Sequence, residues 1–288
     1  MKQMLAYAGP FDFAALRYVL GALVLLVALP ASRQSMRPPP LLPTILIGLC
    51  QTAVFQGLEQ WALVSGGAGH VALLAYTMPF WAVLLAWLLL GERPTRAHWA
   101  GLALAAFGLL CIVEPWRDMG NAASTVLAIG GGIGWAGGTV LSKRLFRVRA
   151  VSTLSLTAWQ MLVGGAALGI VALAVPQRAI AWSGAFVGGL AYSVLLASSL
   201  AWWLWSIVLR RLPTAVAGVS SLGVPIVGVL LAWLILREPM TRLMALCGLA
   251  AAAGLTMVVA PDMSLARLTL LSGEALLLLQ YFCGGLYA

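Results

Sequence analysis

The sequence predicts an all-α polytopic membrane protein whose ten transmembrane helices form two inverted five-helix repeats. Three observations predict it. The chain is 62% hydrophobic and only 9% charged, its mean hydropathy is +1.00, and its apolar residues fall into successive runs of about 20, enough to cross a bilayer's hydrocarbon core as a helix. Second, Val83-Leu84-Leu85-Ala86-Trp87-Leu88 returns as Val229-Leu230-Leu231-Ala232-Trp233-Leu234, 146 residues on. At that fixed offset Pro79 matches Pro225, Glu92 matches Glu238, Arg96 matches Arg242, Gly108 matches Gly254 and Pro115 matches Pro261; a repeat this long marks two copies of one structural unit. Third, each copy holds an odd number of spans, so the second enters the membrane upside down, as in many secondary transporters. The runs are rich in Leu, Ala, Val and Gly and lack the alternating pattern of an outer-membrane barrel strand.

Taken in order, residues 1–9 are too short to span, and Gly9-Pro10 turns the chain into an apolar run over 12–30 that stops at Pro30. Arg33 to Pro40 is a basic, proline-rich loop. The span 41–63 is the most polar, interrupted by Gln51, Gln56, Glu59 and Gln60. Ser65 to Gly69 is a tight connector; 70–90 spans with Pro79 inside it, Gly91-Glu92-Arg93-Pro94 turns the chain, and 97–114 closes the first copy. Beyond the polar loop Glu114 to Asn121 come spans near 123–143, 151–175, 184–209, 214–236 and 242–260.

A tenth run, Leu268 to Ala288, ends at the last residue. Gly284-Gly285 aligns with Gly137-Gly138, and with Met1 placed after Ala288, Lys2 falls at the same offset from Lys143. The last run and the first nine residues therefore read as two pieces of one helix in a circularly permuted order; the alternative is a truncated first helix plus an unrelated tail helix. The repeats are then 1–115, with its first helix supplied by 265–288 and 1–9, and 116–262, with 263–288 the displaced first helix.

With the rejoined helix first and sides alternating, one side collects Arg33, Arg37, Arg93, Arg96, Lys143, Arg144, Arg147, Arg149, Arg210 and Arg211; the other collects Arg117, Arg178, Arg237 and Arg242. The excess fits the positive-inside rule and places the arginine-rich loops on the cytoplasmic face of a bacterial inner membrane. The net charge of +9 is thereby explained without a nucleic-acid partner. Cys50, Cys111, Cys247 and Cys283 stand singly in apolar runs, which supports neither a disulfide framework nor a metal site, and the N-terminus lacks the basic segment and cleavage site of a secretory signal.

Gln56 and Glu59 share one helical face, which points inward because a lipid-facing carboxylate is costly; the competing reading puts Glu59 at the outer interface. Arg17 is the other intramembrane charge candidate; a structural ion pair is the favoured reading and snorkelling to the outer interface the other, while Lys2 and Lys143, equivalent by the repeat and near helix ends, are read as interface anchors in preference to substrate contacts. Tyr76, Trp135, Trp159, Trp202 and Tyr281 are candidates for the wall of a substrate cavity, where rings stack on planar or cationic ligands. Gln160 and Ser198 could supply the few oriented polar groups such a site needs, or bond between helices. Gly130, Gly134 and Gly138 form a small-residue stripe that packs helices closely. Pro79 and Pro225, equivalent by the repeat and each mid-span, are predicted hinges.

Phe11 to Arg17 in the second helix, Pro79 with its leucine-rich run and Gly91-Glu92-Arg93, Gly101 with Gly108, and Arg237-Glu238-Pro239 in the second copy resemble the drug/metabolite transporter superfamily, specifically its EamA-like ten-helix exporters. The resemblance covers nearly the whole chain, although Cys283-Gly284 stands where the family usually has Trp-Gly. It implies export of small metabolites through a central cavity by alternating access, and within the superfamily it is nearest to bacterial exporters of aromatic amino acids. A multidrug or nucleotide-sugar-type carrier is the alternative of the same class. An intramembrane enzyme would need clustered carboxylates or histidines, and a channel a continuous polar pore; the sequence displays neither, nor a nucleotide-binding loop or zinc-protease motif. The expected partners are a small-molecule substrate and the bilayer, with no cofactor and no metal, the protein being a monomer or weak dimer.

Overall fold

In the computed structural model, residues 4–65, 71, 74, 77–113, 121–221 and 253 are described; Tyr76, Pro225, Tyr281 and, of the expected split helix, residues 1–3 and 265–288 lie outside them. Described residues form helices and turns without strands. A short 3-10 turn, Met4–Ala6, precedes α1 (Pro10–Ala31). α2 covers 41–65, as an α-helix over Leu41–Ile47, a π-helical segment over Gly48–Val54 and an α-helix again over Phe55–Ser65. Then come α3 (Met78–Leu90), α4 (Arg96–Val113), α5 (Ala122–Val148) and α6 (Thr153–Ala174). α7 (Gly184–Arg211) is also composite, with a π-helical segment over Ser193–Leu200, and α8 begins at Thr214 and is described to Ser220. Among the described residues, five helices are long and apolar enough to cross a membrane: α1, α2, α5, α6 and α7.

Local chemistry sets these boundaries. Pro10 opens α1, where its missing N–H is one of those a helix start leaves unpaired anyway. Asn121, Ser152 and Ser183 cap α5, α6 and α7 by accepting from the N–H groups of Ser124, Ser155 and Phe186. Thr95 and His98 bond reciprocally at the start of α4. Gly91, at φ 69°, ends α3 in the left-handed conformation that glycine adopts without steric cost.

The surface is apolar where lipid would lie. Val27, Val126, Ile170, Leu173 and Leu88 are exposed, Leu173 at 91%, which water would penalise and a hydrocarbon phase does not. Inside, α1 packs lengthwise on α6 through Phe11, Ala14, Tyr18, Ala22 and Leu25 against Leu154, Ala158, Met161 and Leu168. A second cluster joins Phe55 of α2, Ala82 of α3, Trp135 of α5 and Trp205 and Val208 of α7. In the first copy of the repeated hexapeptide, Val83 and Ala86 are buried while Trp87 and Leu88 are exposed, a division between packing and lipid contact.

The π-helical segments start 145 residues apart and end 146 apart, the spacing of the sequence repeat. Each seats against glycine on a neighbouring helix. A Cβ on Gly164 of α6 would overlap Thr52, and one on Gly21 of α1 would meet Ser198 Cβ at 3.2 Å; Thr52 and Ser198 are themselves 146 residues apart. The stripe on α5 packs as the small-residue pattern predicts. A Cβ on Gly134 would lie 2.9 Å from Val54, and one on Gly138 would overlap Gln51.

Pro79 is the second residue of α3, not a bend within a continuous helix. The backbone turns at Thr77, whose N–H and hydroxyl both bond to Leu74 O at 3.1 and 2.6 Å. A proline at that position starts a helix instead of interrupting one, so any flexing at Pro79 would occur at a junction.

Candidate functional site

α1, α2, α6 and α7 bring a polar cluster into the apolar interior. Arg17 of α1 is 3% exposed. Its Nη2 donates to Gln56 Oε1 on α2 at 2.7 Å and to the Tyr18 hydroxyl at 2.9 Å, and its guanidinium carbon lies 4.5 Å from the Tyr18 ring centre. Gln56 turns its other end to Glu59, Nε2 donating to Oε2 at 3.3 Å. Gln56 is buried and Glu59 partly exposed. Trp202 of α7 meets Tyr18 edge-on, centroids 5.6 Å apart, and forms an aromatic wall beside the charges. One cation and one carboxylate thus share a single amide, flanked by two rings.

The expected inward face of Gln56 and Glu59 is present, and Trp202 joins it. Arg17 belongs there too: it does not snorkel, since its side chain is buried and its Nη2 is bonded to Tyr18 of α1 and Gln56 of α2, in keeping with the structural role that the sequence favours over snorkelling. The signal was a charge about seven residues into an apolar run. Gln160 is 2% exposed and accepts from the Thr52 hydroxyl at 3.1 Å, the interhelical bond that was its alternative role. Ser198 is fully buried, and its hydroxyl has no hydrogen-bond partner among the described residues; the same holds for the indole N–H of Trp159. Trp135 stacks on Trp205 at 4.9 Å, beside the cluster that Trp202 also touches.

Lys143 lies near the ends of α5 and α7, where it lines an arginine-rich cleft. It is 6% exposed, and its Nζ donates to Leu209 O at 2.8 Å and Leu212 O at 2.6 Å, the carbonyls that the end of α7 leaves unpaired.

The two ends of the bundle differ. Beside Pro10 and Gln60, a cleft of about 270 Å3 is also lined by Gln177 and Arg178. There the N-terminal segment is tied down by Gln177 Oε1, which accepts from Phe11 N–H, and by Arg178, which donates to Ala6 O at 3.0 Å. At the opposite end gather Arg37, Arg93, Lys143, Arg147, Arg149, Arg210 and Arg211, around two clefts that share Arg210. Here Glu92, just past α3, pairs with Arg147 of α5 and accepts from the Thr214 N–H at the start of α8 at 2.9 Å. Arg147 also donates to Leu90 O. These bonds tie three helices together at the arginine-rich end.

An all-helical, multi-pass membrane protein with buried charges beside aromatic rings has the makings of a solute transporter. Comparison with known proteins makes that class specific. Residues 1–114 and 123–260 match the EamA-like transporter family, and the chain belongs to that family. It is 31% identical over 254 residues to the uncharacterized protein PA1977 of Pseudomonas aeruginosa, covering 87% of this chain and 84% of that one. It is 25% identical over 242 residues to the uncharacterized transporter YoaV of Bacillus subtilis, covering 81% of each. With a probable amino-acid metabolite efflux pump of Escherichia coli it shares 27% identity over 246 residues, 81% of this chain and 80% of the other. A solved crystal structure shares the fold at a TM-score of 0.76 and 22% identity, covering 87% of this chain and 88% of that one. The family and YoaV are described as transporters, and the Escherichia coli relative as an efflux pump.

Proposed function

We propose that this transporter exports small zwitterionic metabolites, amino acids with neutral or aromatic side chains, by alternating access between two inverted five-helix repeats. The observation that carries the reading is the Arg17–Gln56–Glu59 chain beside Tyr18 and Trp202. A zwitterion matches it: the carboxylate pairs with the guanidinium, the ammonium pairs with Glu59, and an apolar or aromatic side chain rests on the rings. Gln56 satisfies both charges when the site is empty, which spares each the penalty of standing unpaired in an apolar interior. The efflux-pump name of the Escherichia coli relative and the shared offset of the two π-helical segments support the same account. The arginine-rich end is assigned to the cytoplasm, so the bonds of Glu92 close the inner end.

The test is efflux from proteoliposomes loaded with a panel of labelled amino acids, with and without a proton gradient. Export of neutral and aromatic amino acids above empty vesicles supports the assignment. Failure to move any of the panel removes the substrate class while leaving family and fold in place.

A further inference from the structure

The larger cleft at the arginine-rich end has no part in the solute pathway described above. It measures about 660 Å3 and lies between the loop after α1 and the start of α6. Arg37, Arg149 and Arg210 line it, from three separate segments, and among the described residues that line it none is Asp or Glu. The N-terminus of the 22-residue α6 opens into it through Thr153, presenting the positive end of a helix dipole. Gln34 and Ser152 hydrogen-bond across it and fix the two walls together.

Ser155 adds an independent sign of a ligand. It is 5% exposed and lines the cleft. The carbonyl four residues before it, Val151 O, lies ahead of the Ser152 cap and accepts from Arg210. The Ser155 hydroxyl is left without a hydrogen-bond partner among the described residues.

We infer that this cleft binds a phosphate group, held by Arg37, Arg149 and Arg210 with the Ser155 hydroxyl and the α6 N-terminus. Guanidinium groups match phosphate oxygens in geometry and charge, and the cleft lies where helices end, at the depth of lipid headgroups. Two sources carry the same chemistry, the headgroup of an anionic phospholipid and a free phosphate.

The experiment uses the full chain in detergent, reading bound mass by native mass spectrometry and thermal stabilisation in parallel. Phosphatidylglycerol, zwitterionic phosphatidylethanolamine, inorganic phosphate and glycerol 3-phosphate are the probes. The site predicts saturable binding of phosphatidylglycerol, of the soluble phosphates, or of both, and the arm that saturates identifies the source. Arg37→Gln with Arg149→Gln should weaken that binding at least tenfold, and Ser155→Ala about threefold. Arg144→Gln, which removes an exposed charge at the same end but outside the cleft, should leave it unchanged. Absence of saturable binding by every phosphate probe, or equal loss in Arg144→Gln and the double variant, would overturn the site.

Discussion

Arg17 Nη2 on α1 and Gln56 Oε1 on α2 lie 2.7 Å apart, both side chains at least 96% buried. Gln56→Leu removes this acceptor and the donor to Glu59 together. Hydrogen bonds to charged groups contribute about 2 kcal/mol, so Tm should fall by on the order of 5 °C, and transport should drop more than tenfold. Gln56→Glu restores an acceptor for Arg17 but sets two carboxylates side by side, so it should recover most of the Tm and little of the transport. Thermal unfolding and efflux on the same preparations separate the two effects.

Neighbouring glycines on α5 should respond oppositely to the same change. A Cβ on Gly138 overlaps Gln51, whereas one on Gly137 meets nothing within 4 Å. Gly138→Ala forces α2 and α5 apart, costing roughly 1–3 kcal/mol; Gly137→Ala should match the parent in Tm and expression.

How much of this was legible in the sequence follows from which side chains punctuate it. Pro10, the Arg33 to Pro40 loop, Asn121 and Ser183 mark their own boundaries, and α1 expected over 12–30 is found over Pro10–Ala31. The pairing of Gln56 with Glu59 was visible because polar residues three apart on an apolar helix share a face. The partners of Arg17 were not legible because α1 is apolar on almost every side, so its sequence does not say which side faces inward. Packing of Tyr18 and Val19 against Gly165 of α6 decides that. The π-helical segments carry no residue marker either: Gly48–Val54 and Ser193–Leu200 read as ordinary helix, and the wider turn is seen only where they meet Gly164 and Gly21.

Glu92 ties α3 to α5 and α8, and Glu92→Ala should free the arginine-rich end. The Arg147 pair is exposed and worth little, but the charge-assisted bond to the Thr214 N–H adds about 1.5–3 kcal/mol. Opening should therefore rise about tenfold or more. A cysteine replacing Phe146, which lines the adjacent cleft, should be labelled by a membrane-impermeant maleimide correspondingly faster in Glu92→Ala, from the arginine-rich side only. Equal labelling rates would show that Glu92 holds nothing closed.

Lys143→Met should lower Tm without changing substrate preference. The substitution keeps the apolar stem and leaves the carbonyls of Leu209 and Leu212 without their donor, costing about 2 kcal/mol, or roughly 4–8 °C. Efflux ratios across the amino-acid panel, measured below the new Tm, should match the parent.

The central claim is that one buried cation and one half-buried carboxylate read a zwitterion. It is tested most directly by proteoliposome counterflow of labelled phenylalanine in competition with phenethylamine, which lacks the carboxylate, and 3-phenylpropionate, which lacks the ammonium. The account predicts that unlabelled phenylalanine competes at least tenfold better than either analogue. It also predicts that Arg17→Gln abolishes the advantage over phenethylamine, and Glu59→Gln the advantage over 3-phenylpropionate. Equal competition by all three compounds, unchanged in both variants, would contradict it.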